Sequence, residues 1–231
     1  MSLETEYDVC INNLIIMLQY RKYNVSNDDI TAIKDIHSKN LKMPSGHPEP
    51  ILQKTHKSVN MNELYVFYIS KDMLDINKDL HWGKPRVSIN TFYSQEKGIR
   101  KIMSKYLEKN KTYTFIVIFE HLKKLITQFH EKAPIYMKEY EQKIQLQIFS
   151  IQELQFDLMS HILVPKHILH PPQFYTDYLK QEYHIDTPIQ LLNILVTDPC
   201  AKYIGAESGD IIEIQRPSIK SGITKVFRYC I

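Results

Sequence analysis

The stretch that decides the fold of this chain's last third is DPCAKYIG at residues 198–205, followed by SGDIIEI at 208–214 and KVFRYCI at 225–231. Asp198 and Pro199 favour the start of a short helix, because the aspartate accepts hydrogen bonds from free amides and proline needs no amide hydrogen in the first turn. Gly205 favours the end of that helix, since glycine adopts a left-handed conformation at little cost.

A β-hairpin is predicted to follow this helix. Gly209 belongs to a turn signal, and the β-branched residues of 211–214 favour a strand. Pro217 should end this strand or lie at an edge, because proline cannot donate to a β-ladder. A turn at Gly222 then leads into a second strand over 225–231. The caps and turns of this unit are assigned to Asp198, Pro199, Gly205, Gly209 and Gly222. It contains no catalytic group.

Upstream, the hydrophobic pattern alternates between helical and strand spacing. Helices are predicted over 4–23, 96–109 and 121–132, the last of which should end before Pro134. Another helix is predicted to begin at a capping box formed by Ser26 and Asp29. Strands are predicted over 63–70, 113–119 and 143–150. The strand at 113–119 is apolar on both faces, as is typical of a central strand covered by helices. Residues 71–85 are predicted to form a surface connection. Strands alternating with helices indicate an α/β layer.

The composition is that of a folded globular protein, with 43% hydrophobic and 24% charged residues. No apolar run approaches the roughly 20 residues that span a bilayer, and the N-terminus lacks a signal-peptide pattern, so we expect an intracellular protein with no membrane partner. Cys10, Cys200 and Cys230 are widely spaced and odd in number, which favours reduced, packed thiols. A net charge of +3 does not by itself indicate a nucleic-acid partner.

The C-terminal motifs together resemble a known family. The pattern Asp-Pro-x-Ala-x-Tyr-x-Gly, a later glycine, RPS at 216–218 and a terminal aromatic-Arg-Tyr strand are similar to the assembly domain of the fifth common subunit of eukaryotic RNA polymerases I, II and III, and to its archaeal counterpart. HILVPKH at 161–167 resembles the segment that opens this domain, with Lys166 where the family usually carries an acidic residue. The specific resemblance covers roughly residues 161–231.

This resemblance implies an assembly domain over 156–231 that docks on the largest polymerase subunit and contacts other polymerase subunits. The residues that match family positions, and are therefore expected to bind partners, are Tyr203, Arg216, Pro217, Ser218, Tyr229, His161 and His167. The expected role is that of a non-catalytic subunit in transcription, with no small-molecule substrate.

The order of elements in residues 1–155 resembles the family's N-terminal jaw domain, which lies near downstream duplex DNA. We therefore predict an α/β (α+β) fold: a jaw domain with a central mixed sheet flanked by helices, and a small α+β assembly domain that ends in a β-hairpin. The family usually has a Thr-Pro-Ser-Ala loop after the central strand, whereas this chain has EHLKK at 120–124.

Basic residues allow two interpretations of the front half. Lys101, Lys105 and Lys109 recur every four positions on the predicted third helix, and Lys123 and Lys124 follow the central strand. They form either an ordinary solvated surface or a phosphate-facing stripe. The second interpretation implies weak, non-specific and salt-sensitive contacts with downstream duplex DNA.

Enzymatic and metal sites are weakly indicated. His167-x-x-His170, together with Cys200 and Cys230 in the same domain, suggests a zinc site. Zinc sites usually contain two pairs of closely spaced ligands, however, and here the two histidines are such a pair but the two cysteines are not. Structural histidines are favoured, and we expect no metal and no cofactor. No glycine-rich phosphate loop and no nucleophile elbow occurs. Glu63 and Glu120 lie at strand ends without an acid-x-lysine pair, which disfavours a two-metal nuclease.

The alternative hypothesis is a free-standing nucleic-acid-binding or nuclease-like protein. The chain is rich in Ile, Lys, Asn and Tyr, as expected of an A/T-biased genome, cellular or viral. A cellular protein of this family is expected in the nucleus, and a viral one at a cytoplasmic replication site or in the virion.

Overall fold

The computed structural model describes residues 3–42, 48–57, 62–76, 87–96, 98–120, 126–170, 173–220 and 222–231. The chain divides into two compact units, Met1–Phe156 and Asp157–Ile231, called here the first and the second unit. Among the described helices none has the length and apolar character that crossing a bilayer requires.

The first unit is built on a four-stranded mixed sheet. Its strands are β1 (Leu52–Thr55), β2 (Asn62–Ile69), β3 (Thr112–Phe119) and β4 (Ile144–Ser150), in the order β1-β2-β3-β4. β1 is antiparallel to β2, whereas β2, β3 and β4 are parallel. Its helices are α1 (Leu3–Tyr20), α2 (Asp29–Leu41), α3 (Lys71–Ile76), α4 (Ile89–Phe92), α5 (Ile99–Met103) and α6 (Ile126–Met137), and a short 3-10 turn covers Ile151–Leu154. The predicted mixed α/β fold class is confirmed.

β3 lies in the core, and Tyr113–Phe119 are all buried, as its two apolar faces predict. On one face, Phe119 clusters with Phe92 of α4 and Phe129 of α6, whose rings stack with centroids 4.3 Å apart. On the other face, Tyr7 of α1 meets Tyr68 of β2 edge to face, 4.8 Å between centroids. The apolar residues of α1 at helical spacing are buried, namely Tyr7, Ile11, Leu14, Ile15 and Leu18.

Two helix predictions and one predicted connection need correction. The helix predicted over 96–109 is limited to the five residues of α5, because Tyr106 turns inward to pack on Tyr65, 4.9 Å between ring centroids, before the chain enters β3. Pro134 lies inside α6 rather than after it, because the buried stripe through Ala133 and Met137 continues past this exposed proline. The connection predicted from residue 71 begins instead with α3, and its residues 77–85 lie outside the described residues.

Half of the predicted capping box forms at the start of α2. The Ser26 backbone amide donates to the Asp29 carboxylate at 2.9 Å. The N-cap residue of α2 is Asp28, and its side chain accepts no hydrogen bond from the described amides of the first turn. Residues 121–125 of the predicted helix before Pro134 lie outside the described residues.

The second unit contains a second four-stranded sheet. Its strands are β5 (Lys166–His170), β6 (Leu192–Ile194), β7 (Ile211–Ser218) and β8 (Gly222–Cys230), in the order β5-β7-β8-β6. β7 is antiparallel to β5 and to β8, whereas β6 runs parallel to β8. A π-helical turn over Tyr175–Leu179 leads into α7 (Lys180–Tyr183), 3-10 turns cover Leu158–Ser160 and Pro188–Gln190, and α8 spans Pro199–Ile204. The predicted hairpin is β7–β8.

α8 begins and ends where its sequence predicts. The Asp198 carboxylate accepts hydrogen bonds from the amides of Cys200 at 2.8 Å and Ala201 at 3.3 Å. Gly205 ends the helix with φ = 79°, a left-handed conformation that strains any residue carrying a Cβ. The other two predicted turn glycines, Gly209 and Gly222, also have positive φ.

Candidate partner-binding surface

The predicted partner-binding residues separate into exposed and buried sets. Arg216, Pro217 and His161 are exposed, and Ser218 and Tyr229 are half-buried. The side chains of Tyr203 and His167 are only 4% and 5% exposed. These two belong to the interior of the second unit, so they shape a partner surface only from beneath it.

Tyr203 holds the N-terminal part of the second unit. Its hydroxyl donates to Asp157 Oδ1 at 2.7 Å, and the same oxygen accepts the Met159 amide at 3.2 Å. The bond therefore joins α8 to the 3-10 turn at 158–160. A hydrogen bond to a carboxylate is stronger than one between neutral groups. Tyr203 thus stabilises the fold of the unit rather than presenting a contact.

The two histidines of β5 serve structural roles. His167 Nδ1 donates to the Pro165 carbonyl at 2.7 Å, and burial lowers the pKa of His167 although that hydrogen bond acts in the opposite direction. His170 Nε2 contacts Glu213 Oε2 at 2.8 Å, and its ring stacks on Phe174 with centroids 3.8 Å apart. Three positions apart on a strand, the two rings face opposite sides of the sheet. They do not form one metal site.

The described part of the chain contains no group of side chains that could bind a metal ion. Within those residues, no three histidine, cysteine, aspartate or glutamate side chains are grouped to hold an ion. The thiols are free: Cys10 and Cys230 are buried and Cys200 is half-buried. Burial raises the pKa of Cys10 and of Cys230 to about 12 and that of Cys200 to about 11. Such thiols are inert in neutral solution.

The hairpin extends beyond the rest of its sheet. β5 pairs with β7 only up to Gln215, and β6 pairs with β8 only from Arg228 onwards. Among the described residues, 216–218 and 222–224 therefore pair in the sheet only with each other. We call residues 216–220 together with 222–225 the hairpin arm. A ribbon of two strands is at best marginally stable in water, which favours a partner that covers it.

Large apolar side chains are exposed on this arm and beside it. Ile219 is fully exposed and Ile223 is 63% exposed, while Ile162 and Leu163 before β5 are 94% and 82% exposed. Because β5 runs antiparallel to β7 with Lys166 opposite Gln215, the chain before Lys166 lies at the same end of the sheet as the arm. We call the arm and the turn at 161–164 the apolar end.

Exposed apolar residues are concentrated in the second unit. Of the fourteen large hydrophobic side chains that are exposed among the described residues, ten lie in Asp157–Ile231, about a third of the chain. The other four of these described side chains, Ile16, Tyr20, Ile135 and Phe156, lie in the first unit. Clustered exposed apolar surface, unlike scattered single residues, marks interaction sites.

The arm also carries net positive charge. Arg216, Lys220 and Lys225 lie on it, and no acidic residue occurs from 214 to 231. The acidic residue nearest in sequence, Glu213, is buried on β7 and accepts hydrogen bonds from His170 and from Gln215, each at 2.8 Å. Burial raises the pKa of Glu213, but these hydrogen bonds and the charge of Lys225 outweigh it and lower the pKa below its ordinary value. Glu213 is thus held as an anion inside the sheet.

The lysines predicted to lie near nucleic acid do not form one helical stripe. Lys101 lies in α5, Lys105 in the turn that follows it, and Lys109 in a separate turn before β3; all three are exposed. Lys123 and Lys124 lie outside the described residues.

The acidic residues considered for a nuclease are far apart. Glu63 lies at the start of β2, opposite Tyr113, whereas Glu120 follows Phe119 at the other end of β3. Seven residue steps separate Tyr113 from Glu120, which is about 23 Å at ~3.3 Å per residue. Glu63 binds Lys111 at 2.6 Å, and Glu120 accepts the Lys71 amide at 2.9 Å. These two carboxylates do not share a metal ion.

The carboxyl end of the parallel strands, where open α/β sheets bind ligands, is used for capping. The Ser70 hydroxyl accepts the Met73 amide at 3.2 Å, and Ser150 forms a capping box with Glu153. These polar groups stabilise the turns that follow the strands.

The exposed residues Ile162, Leu163, Ile219 and Ile223 were absent from the predicted site. A signal existed, because apolar residues next to Pro165 and Gly222 sit beside turns, where side chains tend to be exposed. A position beside a turn does not show whether an apolar side chain is exposed or buried, because its exposure depends on how far the neighbouring strands extend.

Known proteins resemble this chain over its second unit, and one of them over most of its length. A family profile described as RNA polymerase Rpb5, C-terminal domain, matches residues 156–230. The DNA-directed RNA polymerase subunit Rpo5 of Pyrococcus abyssi is 41% identical over 75 residues, 32% of this chain and 88% of the relative. DNA-directed RNA polymerase subunit 5 of Acanthamoeba polyphaga mimivirus is 26% identical over 226 residues, 93% of this chain and 86% of the relative. The Dictyostelium discoideum DNA-directed RNA polymerases I, II, and III subunit rpabc1 is 34% identical over 106 residues, 46% of this chain and 52% of the relative.

Proposed function

The chain belongs to the RNA polymerase subunit 5 family, and from this premise we propose that it is a non-catalytic subunit of a DNA-directed RNA polymerase. Its partners in this proposal are the other polymerase subunits. The second unit docks on the largest subunit, and the first unit lies near downstream duplex DNA. The compartment follows the polymerase: the nucleus in a cell, or a cytoplasmic replication site or the virion for a virus. The mimivirus relative, similar over nearly the whole chain, supports a viral setting.

The observation that carries the docking proposal is the apolar end of the second unit. Fully burying an isoleucine or leucine contributes about 1.5–3 kcal/mol. The four exposed side chains Ile162, Leu163, Ile219 and Ile223 would therefore contribute about 6–12 kcal/mol before costs. Association itself costs roughly 4–15 kcal/mol. The apolar end thus supplies a large share of what stable docking needs, and the cations of the arm add orientation.

Charge reversal of Arg216 tests the docking surface. Arg216→Glu places a carboxylate on the exposed arm, and we expect it to reduce co-purification with the largest subunit while the chain stays folded. Lys180→Glu is the matched control, because Lys180 is also an exposed cation of the second unit but lies on α7. Equal recovery of both variants with the largest subunit, at equal thermal stability, would count against this site.

We propose that Lys101, Lys105 and Lys109 make weak, non-specific contacts with downstream DNA. All three are exposed, and within the described residues none forms an ion pair. Lys111 is different, because it binds both Glu63 and Glu108, at 2.6 and 2.7 Å. Three phosphate contacts imply a slope of about −2.7 in log K against log salt concentration.

The assembled polymerase with all three lysines changed to glutamate should bind downstream duplex less tightly at low salt, with a smaller salt slope. A variant with Lys39, Lys42 and Lys57 changed to glutamate alters the net charge equally at exposed positions outside this group. If the two variants lose DNA affinity equally, overall charge rather than this group of lysines is responsible.

The size of the particle in native extract distinguishes a polymerase subunit from the alternative, a free-standing nucleic-acid-binding or nuclease-like protein. A polymerase subunit elutes from native extract in a complex of several hundred kilodaltons, whereas a free-standing monomer elutes near 27.4 kDa. The separation of Glu63 from Glu120 gives no support to the nuclease form of this alternative.

A further inference from the structure

β8 has an open edge over part of its length. It pairs with β7 along Gly222–Tyr229, but on its other side the described part of the chain provides only β6, which covers Arg228–Cys230. Residues 223–225 are exposed. The sheet is therefore one strand short beside the hairpin arm.

Two backbone hydrogen bonds near the end of β8 show which backbone groups face this edge. The Cys230 amide donates towards the β7 side, to Asp210 O at 2.9 Å, and the Ile231 amide donates towards the β6 side, to Ile194 O at 2.9 Å. Backbone direction alternates along a strand. The amide and carbonyl of Ile223 and of Lys225 therefore point to the open edge, whereas those of Thr224 point to β7.

Side chains around this edge define what fits it. The arm carries Arg216, Lys220 and Lys225, without an acidic residue from 214 to 231. Ile219 and Ile223 add exposed apolar surface. An extended segment with acidic side chains and one or two apolar ones complements both properties.

We propose that an acidic, extended segment of the largest subunit adds to the second unit as a fifth strand, hydrogen-bonded to Ile223 and Lys225 of β8. This inference rests on the proposed docking function and specifies how the docking is made. Backbone hydrogen bonds give such strand addition its affinity, and side chains give it specificity.

The same charges argue against a second copy of this chain as the occupant. Two arms placed edge to edge would bring Arg216, Lys220 and Lys225 of each copy together. Lysine on an exposed edge is a common device that prevents strands from pairing with themselves. An acidic partner removes this repulsion, so the edge selects for a different chain.

A proline substitution tests the outward amide of Lys225. Lys225→Pro removes a donor that faces the open edge, and proline is tolerated on edge strands when its missing amide faces solvent. Lys225→Ala is the matched control, because it loses the same charge and the same contact with Glu213, 3.6 Å in the native chain, but keeps the amide. With the full chain and the co-expressed largest subunit, we expect Lys225→Pro to bind at least about tenfold more weakly than Lys225→Ala.

Residue-resolved hydrogen exchange gives a second measurement on the unmodified chain. In the complex with the largest subunit, the amides of Ile223 and Lys225 should exchange at least about tenfold more slowly than in the free chain. The Thr224 amide already faces β7 and should change little. This alternation distinguishes strand addition from general covering of the arm.

Charge is tested separately with Lys220→Glu, a change at an exposed position next to the turn. Weaker binding by this variant supports an acidic occupant, and unchanged binding overturns that part of the proposal.

The outcomes separate the two proposals. If the native chain does not bind the largest subunit at all, the docking function itself is wrong. If it binds, but Lys225→Pro and Lys225→Ala bind equally and Ile223 and Lys225 gain no protection, docking stands and strand addition is overturned.

Discussion

Removing the Tyr203 hydroxyl should destabilise the second unit without changing its surface. The hydroxyl donates to Asp157 Oδ1 at 2.7 Å from a side chain that is 4% exposed. A hydrogen bond to a charged group contributes about 1.5–3 kcal/mol. Because Asp157 Oδ1 keeps the Met159 amide at 3.2 Å, we expect Tyr203→Phe to cost near the lower value, about 1.5 kcal/mol.

Native-state hydrogen exchange measures this cost within the full chain. The amides of Ile212 and Ile214 lie in the buried part of β7 and report the opening of the second unit. A loss of about 1.5 kcal/mol accelerates their exchange roughly tenfold. Residue-level exchange is preferred to a melting temperature, because a chain of two units need not unfold in one step.

Tyr229→Phe is the matched control, since Tyr229 lies half-buried on the neighbouring strand β8 and its hydroxyl makes no hydrogen bond with the described residues. A double-mutant cycle of Tyr203→Phe with Asp157→Ala, which removes the acceptor oxygen, should give a coupling energy of about 1 kcal/mol. Equal exchange in Tyr203→Phe and native chains, or a coupling near zero, would refute the assignment of this bond as a fold-stabilising contact. Docking on the largest subunit should persist in Tyr203→Phe.

Two further predictions concern the same unit. Gly205→Ala forces a Cβ into a left-handed conformation at φ = 79° and should cost about 1–2 kcal/mol. Gly205→Asn should cost less, and equal exchange rates of the Ile212 and Ile214 amides in the two variants would contradict this account of the helix end. Glu213 has a lowered pKa in the folded chain, because its hydrogen bonds and the charge of Lys225 outweigh the effect of burial, which raises it. Its stabilising contribution is therefore present above its unfolded pKa and is lost as pH falls through the folded pKa, so Glu213→Gln should flatten the loss of stability below about pH 5. If the opening free energy at the Ile212 and Ile214 amides has the same pH dependence in both proteins, that role is wrong.

Local structure followed from local sequence in most places. Asp198 and Gly205 each satisfy a requirement confined to one turn of helix, so the bounds of α8 were predictable. The apolar run 113–119 required burial on both faces and became the buried core strand β3. The third helix failed for the opposite reason: its spacing is helical, but contacts of Tyr106 with a distant strand ended it at Met103.

The candidate site was only partly predictable. Arg216 and Pro217 were identified by the family resemblance and lie on the exposed arm, whereas Tyr203 and His167 were identified by the same resemblance and proved to be buried. A motif records that residues occur together. It does not record which of them face solvent, because that depends on packing against residues far away in the chain.

By itself, the sequence determined the C-terminal motifs, the helix caps, the turn glycines and the alternation of strands with helices, because each depends on backbone preferences over a few residues. The tertiary structure decided that β5 ends its pairing at Gln215 and that β6 begins its pairing at Arg228. Those two limits create the hairpin arm and its open edge, since an edge exists only where neighbouring strands stop. The lengths of such pairings are set by long-range register and packing.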